Sequence, residues 1–423
     1  MHHVEFMFMK KSGNQDQTAG SQQTIQEFYD QHPYPPPVDD LDQYKKSWDN
    51  SLRRRAEFHL FWPDLDFRED HKILIAGCGT SQAAKYAIRS PGAHVTGIDL
   101  SSRSIEHTAA LKEKYKLDNL EVHQLPVEQV AELGQEFDFI VSTGVLHHLP
   151  DPDAGLAALG SCLAPQGAMH LMVYAPLGRT GIYILQDYCK RLKIGASSAE
   201  IKDLIASLRA LPPDHPLVPL LKNSPDFRDE SALADALLNP QDRAYSVEQF
   251  LEFIDKADLS FGRWIRQAPY LPHCGAITQV PHSAHLEALS EPEQFAAMEL
   301  FRGNMVRHSA VVYAKRDEKR RSAISFDGDD WPDYIPIRNF GTINVEEKIP
   351  PSAAAVLINQ AHSHTDIYLP INILQKSMVD EIDGKRSIRQ IMEKTSGQSE
   401  ALTLFRRLWW YDQVVFQTRA AEQ

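Results

Sequence analysis

Short apolar runs alternate with longer helical stretches between Lys72 and Ala175. The apolar runs are KILIA, HVTGID, LEVHQL, FDFIVST and AMHLMVYA, and the stretches between them include SQAAKYAIRS and RSIEHTAALKEKYKL. Strands this apolar are buried on both faces rather than half exposed. The alternation therefore predicts a mostly parallel sheet covered by helices. Two later runs, LSFGRWI and HSAVVYA, bring the predicted sheet to seven strands.

The chain of 423 residues is longer than one ordinary hydrophobic core holds, so about two domains are expected. The amino-terminal residues are polar and cannot bury enough apolar surface to offset the entropy of ordering. A proline cluster near Tyr34 stiffens the next segment, which could lie across a cleft. We therefore divide the chain into a disordered tail (1–22), an N-terminal lid and helix (23–70), the sheet domain (71–316) with a helical insertion (about 178–240), a linker (317–345) and a small C-terminal helical or winged-helix-like domain (346–423).

Charge and cysteine usage narrow the function classes. The net charge of −13 argues against a nucleic-acid-binding surface. No run of about 18 apolar residues predicts a membrane span, and the amino terminus lacks the pattern of a signal peptide. The four cysteines show no C-x-x-C spacing, which argues against disulfides and a structural zinc site. We expect a soluble, cytoplasmic protein without a metal.

The strongest chemical signal is ILIAGCGTSQ, where an apolar strand stops at a glycine-rich turn and a helix begins. Gly77 and Gly79 let a ligand approach the main chain, and the following helix terminus favours a carboxylate. Asp99 closes the next strand, where an acidic side chain in this fold accepts hydrogen bonds from ribose hydroxyls. Gln82 stands where dinucleotide-binding proteins need a third small residue. A nicotinamide oxidoreductase is therefore a weaker alternative.

The runs ILIAGCGT, VTGIDLS, FDFIVSTGVLHHLPDP and LAPQGAMHLMVYAP resemble, in order and spacing, the class I S-adenosylmethionine-dependent methyltransferases. The resemblance covers about residues 70–176 and implies a Rossmann-like fold with S-adenosyl-L-methionine as cofactor. Two positions depart from the family: Ser81 replaces a frequent glycine, and the LPVE stretch lacks the usual acid for the adenine amino group. The resemblance implies that the methionine part lies beside Ala76, Gly77, Cys78 and Gly79, the ribose at Asp99, the adenine near Leu100, and the sulfonium beside Ser142, Thr143 and Gly144.

Candidates for the acceptor side come from three segments. His147 and His148 follow the fourth strand and could remove a proton from the acceptor, although a packing role is the alternative. Tyr29 and Tyr34 could cover the cofactor or bind the substrate, or only pin the chain to the surface. In NPQDRAYS, the fork of Arg243 suits an acceptor carboxylate or phosphate, and Tyr245 is a second substrate-binding candidate. Ser246 and Gln249 predict a helix-capping box.

The C-terminal stretch IDGKRSIRQIMEKTSG resembles the small PqqD-like winged-helix domains that bind peptides in peptide-modifying systems. The alternative is a helical module that shields the main domain or forms a homodimer, with Trp409, Trp410 and Tyr411 in its core or interface. We expect a methyltransferase for a small-molecule or peptide acceptor. A tRNA or rRNA methyltransferase and a non-catalytic regulator that binds S-adenosylmethionine remain alternatives.

Overall fold

The N-terminal region lies against the sheet domain as three helices. The computed structural model describes residues 24–223, 229–317 and 323–418, so the predicted disordered tail lies outside the described residues. The three helices are α1 (24–31), α2 (Asp42–Trp48) and α3 (Ser51–Phe61). Asn50 caps α3, because its side chain accepts hydrogen bonds from the amides of Leu52 and Arg53.

The predicted alternation forms the first five strands of a seven-stranded sheet. In chain order its elements are β1 (Lys72–Ala76), α4 (Gln82–Arg89), β2 (His94–Asp99), α5 (Ser102–Tyr115), β3 (Leu120–Gln124), β4 (Phe137–Thr143), α6 (Pro152–Ser161) and β5 (Leu163–Tyr174). Strands β1 to β5 pair in parallel. Their carboxyl ends therefore lie at one edge of the sheet, where open α/β sheets bind ligands.

Both faces of this sheet are buried, as the apolar strands predict. Leu74 and Ile140 belong to one hydrophobic cluster, whereas their neighbours Ile73 and Val141 belong to a second cluster on the other face. This alternation follows from the two-residue period of a strand. Because the two clusters clamp the sheet, the loops at its carboxyl edge are held on a rigid support.

A helical insertion follows β5 and packs against the N-terminal region. It comprises α7 (Thr180–Leu192), α8 (Ser198–Leu208), α9 (Val218–Asn223) and α10 (Glu230–Leu238). Leu185, Leu204 and Leu233 of these helices share one apolar cluster with Phe28 of α1. The insertion and α1 therefore bury their apolar faces against each other, which fixes both above the sheet edge.

The chain then returns to complete the sheet. The returning elements are α11 (Val247–Lys256), β6 (Leu259–Trp264), α12 (Ser283–Glu287), α13 (Glu291–Arg302) and β7 (Arg307–Ala314). The strand order is β3-β2-β1-β4-β5-β7-β6, with β7 antiparallel to both neighbours. The predicted α/β fold with a seven-stranded, mostly parallel sheet is confirmed. The predicted capping box of Ser246 and Gln249 begins α11.

The C-terminal unit has its own core and two small sheets. Its elements are β8 (Ile335–Arg338), β9 (Thr342–Val345), β10 (Ala355–Asn359), β11 (Leu369–Ile371), α14 (Ile373–Asp380), α15 (Ile388–Thr395), α16 (Gln398–Trp410) and β12 (Val414–Gln417). Strands β8 and β9 fall within the predicted linker 317–345, so this boundary is corrected. The sequence does not reveal β8, because its partner β12 lies about eighty residues away in the chain. The resemblance to PqqD-like domains stays a prediction.

Buried polar contacts hold the C-terminal unit against the sheet domain. Arg263 of β6 donates to the Asp412 carboxylate at 2.9 Å, with both side chains largely buried. Arg302 of α13 forms a second ion pair, at 3.2 Å, with Asp366. These contacts fix the loop that follows β6. No helix of the described ranges combines the length and apolarity needed to cross a membrane.

Candidate functional site

A cavity of about 580 Å³ opens at the carboxyl edge of the sheet. Its walls come from the ends of β1, β2, β4 and β5, the N-terminal segment and the helical insertion. This volume falls within the range of about 300–1,000 Å³ that is typical of small-molecule sites. The predicted residues that line it are Gly77, Gly79, Asp99, Leu100, Thr143, Gly144, His148, Tyr29 and Tyr34.

Two glycines let the loop after β1 fit between its neighbours. Gly77 has a φ of +73°, and a side chain there would come 2.3 Å from a methyl carbon of Val145. Gly79 has a φ of +51°, and a side chain there would come 2.8 Å from Pro35. Only glycine adopts such angles readily. The close approach leaves the main chain of this loop as a wall of the cavity.

Three predicted cofactor residues lie behind this wall instead of lining it. The side chains of Ala76, Cys78 and Ser142 are fully buried. Cys78 packs against Gly97, where an added β-carbon would lie 3.3 Å from the Cys78 side chain. Burial raises the pKa of the Cys78 thiol well above its usual value. Within the described structure these residues support the loop, and their side chains do not form the cavity surface.

Asp99 is held in place by the main chain. One carboxylate oxygen accepts the amide of Gly79 at 2.8 Å, and the other accepts the amide of Ser101 at 2.9 Å. Burial raises the pKa of the Asp99 carboxyl, and these two amides oppose the shift. These two hydrogen bonds from backbone amides fix the orientation of the carboxylate. Its remaining lone pairs are therefore oriented before a ligand enters the cavity.

The wall beyond Leu100 supplies an apolar surface and one acid. Leu125, Pro126 and Val127 line the cavity after β3, and Glu128 lies beside them. The LPVE stretch lacks the usual acid of the resembled family for the adenine amino group. Its last residue, Glu128, lines the cavity. The short helical turn that begins at Val127 brings Glu128 to the wall.

The N-terminal segment closes over the glycine loop. Thr80 donates to the carbonyl of Pro35 at 2.8 Å. Ser101, next to the clamp on Asp99, donates to the Asp30 carboxylate at 2.7 Å. These contacts tie residues 30–35 to the ends of β1 and β2, on the side where Gly79 meets Pro35.

Tyr29 anchors the same segment to the helical insertion. Its hydroxyl donates to Asp235 at 2.9 Å and accepts from Asn239 at 3.0 Å. Burial, followed by the nearby Asp235 charge, raises the pKa of Tyr29 well above its usual value. Tyr29 therefore stays protonated and acts as a hydrogen-bond donor at neutral pH.

A buried polar cluster beside Tyr29 was missed by the sequence analysis. Tyr174 at the end of β5 lies 3.5 Å, hydroxyl to carboxylate, from Asp235. Arg179 stacks over the Tyr174 ring at 3.5 Å and pairs with Asp242 at 3.1 Å. The signal was an aspartate inside the apolar helical run SALADALL, because an acid on a buried helix face needs polar partners.

The two predicted histidines occupy different environments. His148 lines the cavity, and its Nδ1 lies 2.6 Å from the carbonyl of Gln241. His147 is fully buried against Tyr174, and neither of its ring nitrogens has a hydrogen-bond partner among the described residues. Burial lowers the pKa of His147 well below its usual value, so this ring is neutral at pH 7. Only His148 is accessible from the cavity.

A potential metal-binding group lies at this point. Ligand atoms of His147, His148 and Asp242 lie within 4.8 Å of one another. However, Asp242 already pairs with Arg179, and the Arg179 charge contributes to the lowered pKa of His147. A guanidinium this close opposes a second cation. The arrangement therefore favours the Arg179–Asp242 ion pair over a metal.

The predicted substrate residues Arg243 and Tyr245 do not line the cavity. Tyr245 packs in the core against Phe253, with ring centroids 5.0 Å apart, and burial raises its pKa to about 12. The guanidinium of Arg243 lies 5.0 Å from the Tyr245 ring. The chain here runs beside the end of β5, where the Tyr245 amide donates to Tyr174. Their assignment to the substrate site is therefore corrected.

Comparison with known proteins agrees with this geometry. Residues 74–169 match the family described as a methyltransferase domain. The matched residues run from β1 into β5 and include the glycine loop and Asp99. The Rickettsia typhi protein PKMT2 in complex with AdoHcy has a similar fold, with a TM-score of 0.62 and 17% identity over 91% of this chain and 77% of that chain.

Two relatives are similar in sequence. An uncharacterized Synechococcus protein, syc1184_c, is 32% identical over 255 residues, which is 56% of this chain and 59% of that protein. A ubiquinone biosynthesis O-methyltransferase of Acinetobacter baylyi is 31% identical over 130 residues, or 29% of this chain and 54% of that protein. The chain thus spans little more than half the length of these curated relatives.

Proposed function

We propose that the protein is an S-adenosyl-L-methionine-dependent methyltransferase that acts on a small-molecule or peptide acceptor. The observation that carries the proposal is the Asp99 carboxylate, clamped by two backbone amides at the wall of a large cavity. A fixed carboxylate at the end of β2 suits two adjacent ribose hydroxyls. The AdoHcy bound by the similarly folded PKMT2 supports the same ligand class.

The cavity offers a partner for each part of this cofactor. The loop at Gly77 and Gly79 presents main chain to the methionine part, and Asp99 accepts from the ribose. Leu100 gives the adenine an apolar wall, and the Glu128 carboxylate can accept from its amino group. Bound S-adenosyl-L-methionine supplies an electrophilic methyl group. The protein's part is to hold the acceptor beside Thr143 in a productive orientation.

Space for an acceptor supports an enzyme over a non-catalytic regulator. A regulator would be expected to plug the acceptor region with its own side chains. Here the insertion contributes Ile182, Ala232 and Asp235 to the wall without closing the cavity. Orienting two reactants in such a site is worth up to about 7–11 kcal/mol of barrier reduction.

His148 is the proposed general base, and His147 is proposed as a supporting residue. A base of this kind contributes roughly 10²- to 10⁴-fold to turnover. His148→Ala should therefore lower turnover with little change in cofactor affinity, measured once an acceptor is found. His147→Ala serves as the matched comparison, because its ring lies outside the cavity. Equal turnover in both variants and the parent protein would remove the base from the proposal.

Calorimetric titration of the intact protein tests the cofactor first. We expect S-adenosylmethionine and S-adenosylhomocysteine to bind, and NADH not to bind. Asp99→Ala should weaken both interactions by about 100-fold or more, because it removes charged hydrogen bonds to the ribose. Asp118→Ala, an exposed acid after α5, is the control. Binding of NADH alone, or of none of the three ligands, would overturn the proposal.

A further inference from the structure

A second chamber, of about 360 Å³, continues the cofactor cavity along the sheet edge. The two spaces share the wall residues Gln82, Thr143, Met172, Val306 and Arg307. The chamber lies at the ends of β5, β7 and β6 and is closed by residues 362–364 of the C-terminal unit. A molecule in it would lie next to Thr143, where the proposed function brings the acceptor and the methyl group together.

The chamber is lined by cationic and imidazole side chains. Arg266, Arg307, His362 and His364 contribute to its wall, and none of the described residues that line it is acidic. Within the described ranges, neither Arg266 nor Arg307 has an ion-pair partner for its side chain. Arg266 is partly buried, and a guanidinium in such a place is costly to maintain without an anion, whereas Arg307 is exposed.

The nearest candidate to neutralise Arg266 is already engaged. The charge of Asp412 acts on Arg266, but its carboxylate accepts from Arg263 at 2.9 Å and from the Ala268 amide at 3.0 Å. Burial lowers the pKa of the Arg266 guanidinium, as expected for a cation without a close counter-charge. The chamber therefore keeps a net positive charge.

His362 adds unused hydrogen-bonding capacity to the same wall. Both of its ring nitrogens are buried and lack a partner in the part of the chain that the structure describes. Buried polar atoms in native proteins nearly always have a partner, so such a pair points to a missing ligand or water. Burial, followed by the charges of His364 and Arg266, lowers the pKa of His362 to about 4.

The C-terminal unit holds these groups in position. Next to Arg266, the side-chain amide of Gln267 donates to the carbonyl of Trp409 at 2.6 Å. Two residues after His364, Asp366 accepts from the Ala276 amide at 3.0 Å and pairs with Arg302. The chamber wall is therefore built before a ligand arrives, which lowers the entropic cost of binding.

We propose that this chamber binds an anionic group of the acceptor, a carboxylate or a phosphate, through Arg266, Arg307 and His362. The proposal rests on the proposed methyltransferase function and specifies its acceptor class. A planar guanidinium fork suits both anions, and the neighbouring imidazole and hydroxyl groups supply further donors. The C-terminal unit then serves as a specificity element for the acceptor.

Titration calorimetry of the full chain saturated with S-adenosylhomocysteine tests this proposal. The probes are sodium benzoate, its neutral analogue benzamide, and inorganic phosphate. We expect at least one anion to bind and benzamide not to bind, and the tighter anion identifies the acceptor group. Arg266→Gln should weaken anion binding by about tenfold or more, because it removes a charged hydrogen-bond donor. Arg209→Gln, an exposed arginine of the insertion, should bind as the parent protein does.

A second variant distinguishes loss of anion binding from misfolding of Arg266→Gln. Ser363 lines the chamber but is exposed, so Ser363→Glu should fold normally and repel the anion, again weakening binding by about tenfold. The proposal fails if neither anion binds, or if both variants bind anions as the parent protein does. It also fails if Arg266→Gln weakens S-adenosylhomocysteine binding, because the chamber would then hold the cofactor carboxylate. Lack of S-adenosylhomocysteine binding by the parent protein would instead overturn the proposed function.

Discussion

The two ends of the sheet edge use polar groups in opposite ways. At the β1–β2 end, Asp99 already accepts two backbone amides, and Ser101 and Thr80 bond to the N-terminal segment. At the β6–β7 end, Arg266 and Arg307 have no counter-ion among the described residues. One end is satisfied by the protein itself, and the other has hydrogen-bonding capacity left over.

This difference separates two kinds of recognition. A satisfied site is rigid and presents the same groups whether or not a ligand is bound, which suits a cofactor used in every turnover. An unsatisfied, positively charged chamber gains most when an anion enters, because the anion removes an existing energetic penalty. In the two proposals above, the cofactor accordingly lies at one end and acceptor selection takes place at the other.

The largest expected effect tests the support of the charged end. Arg263→Met should lower the free energy of unfolding by about 3–5 kcal/mol, because it leaves the buried Asp412 carboxylate unpaired. Burial already raises the pKa of Asp412 to about 6 even with Arg263 present. Urea unfolding measures the change. Arg389→Met is the control: its pair with Asp333 is exposed and worth about 0–1 kcal/mol. Equal losses in both variants would contradict this account.

His147, which follows β4, has two ring nitrogens without a hydrogen-bond partner among the described residues. The pH dependence of stability tests the effect of its burial. Its folded-state pKa lies well below the unfolded value of about 6.5, so the unfolded chain binds the proton first. This contribution to stability is complete above about pH 6.5 and is lost as the pH falls. Between pH 7 and 5 the parent protein should lose more unfolding free energy than His147→Phe loses, as measured by urea unfolding. His123→Gln, an exposed site, should keep the parental pH dependence.

Gly79 tests whether the satisfied end depends on close approach. Gly79→Ala should cost about 1–2 kcal/mol in unfolding free energy, because φ is +51° and the methyl group would press on Pro35. The affinity for S-adenosylhomocysteine should also fall by about tenfold, because the glycine loop and the N-terminal segment at Pro35 would move apart. Gly328→Ala is the control, because nothing lies within 4 Å of its added carbon. Unchanged affinity would show that the contact between Gly79 and the N-terminal segment is not needed for binding.

Replacing Arg266 tests whether this unpaired arginine supports the fold. Arg266→Met should not lower the unfolding free energy by more than about 0.5 kcal/mol, because no partner is left behind. Arg263→Met, at the end of the preceding strand β6, is the opposite case. Thermal unfolding of both variants under one buffer condition makes the measurement. A loss above about 2 kcal/mol for Arg266→Met would mean that the arginine is structural and the chamber is not a binding site.

The cofactor end was predictable because its signals are local. Gly77, Gly79 and Asp99 lie at the ends of two consecutive strands, and parallel pairing brings such ends together. The acceptor side was harder to predict. Arg243 and Tyr245 looked suitable by side-chain type, but the extended chain beside β5 turns Tyr245 into the core.

The contacts that the sequence did not reveal join residues that are far apart in the chain. Asp235 meets Tyr29 across about two hundred residues, and Arg266 meets His362 only because the C-terminal unit docks on the loop after β6. Such meetings depend on how helices and whole units pack, which no local pattern encodes. Of these contacts, only that of Asp235 was indicated by a sequence pattern, because an acid within an apolar helix needs a polar partner.

Short-range patterns in the chain specify the seven-stranded sheet, its glycine turn and the position of Asp99 at the end of the next strand, because strand period, helix alternation and glycine turns are local properties. The two backbone amides that hold Asp99 were found only in the structure. The tertiary structure alone decided which histidine reaches the cavity, how the insertion leaves room, and where unpaired cations gather. Those outcomes depend on burial and long-range packing, which set the cost of every unpartnered polar group.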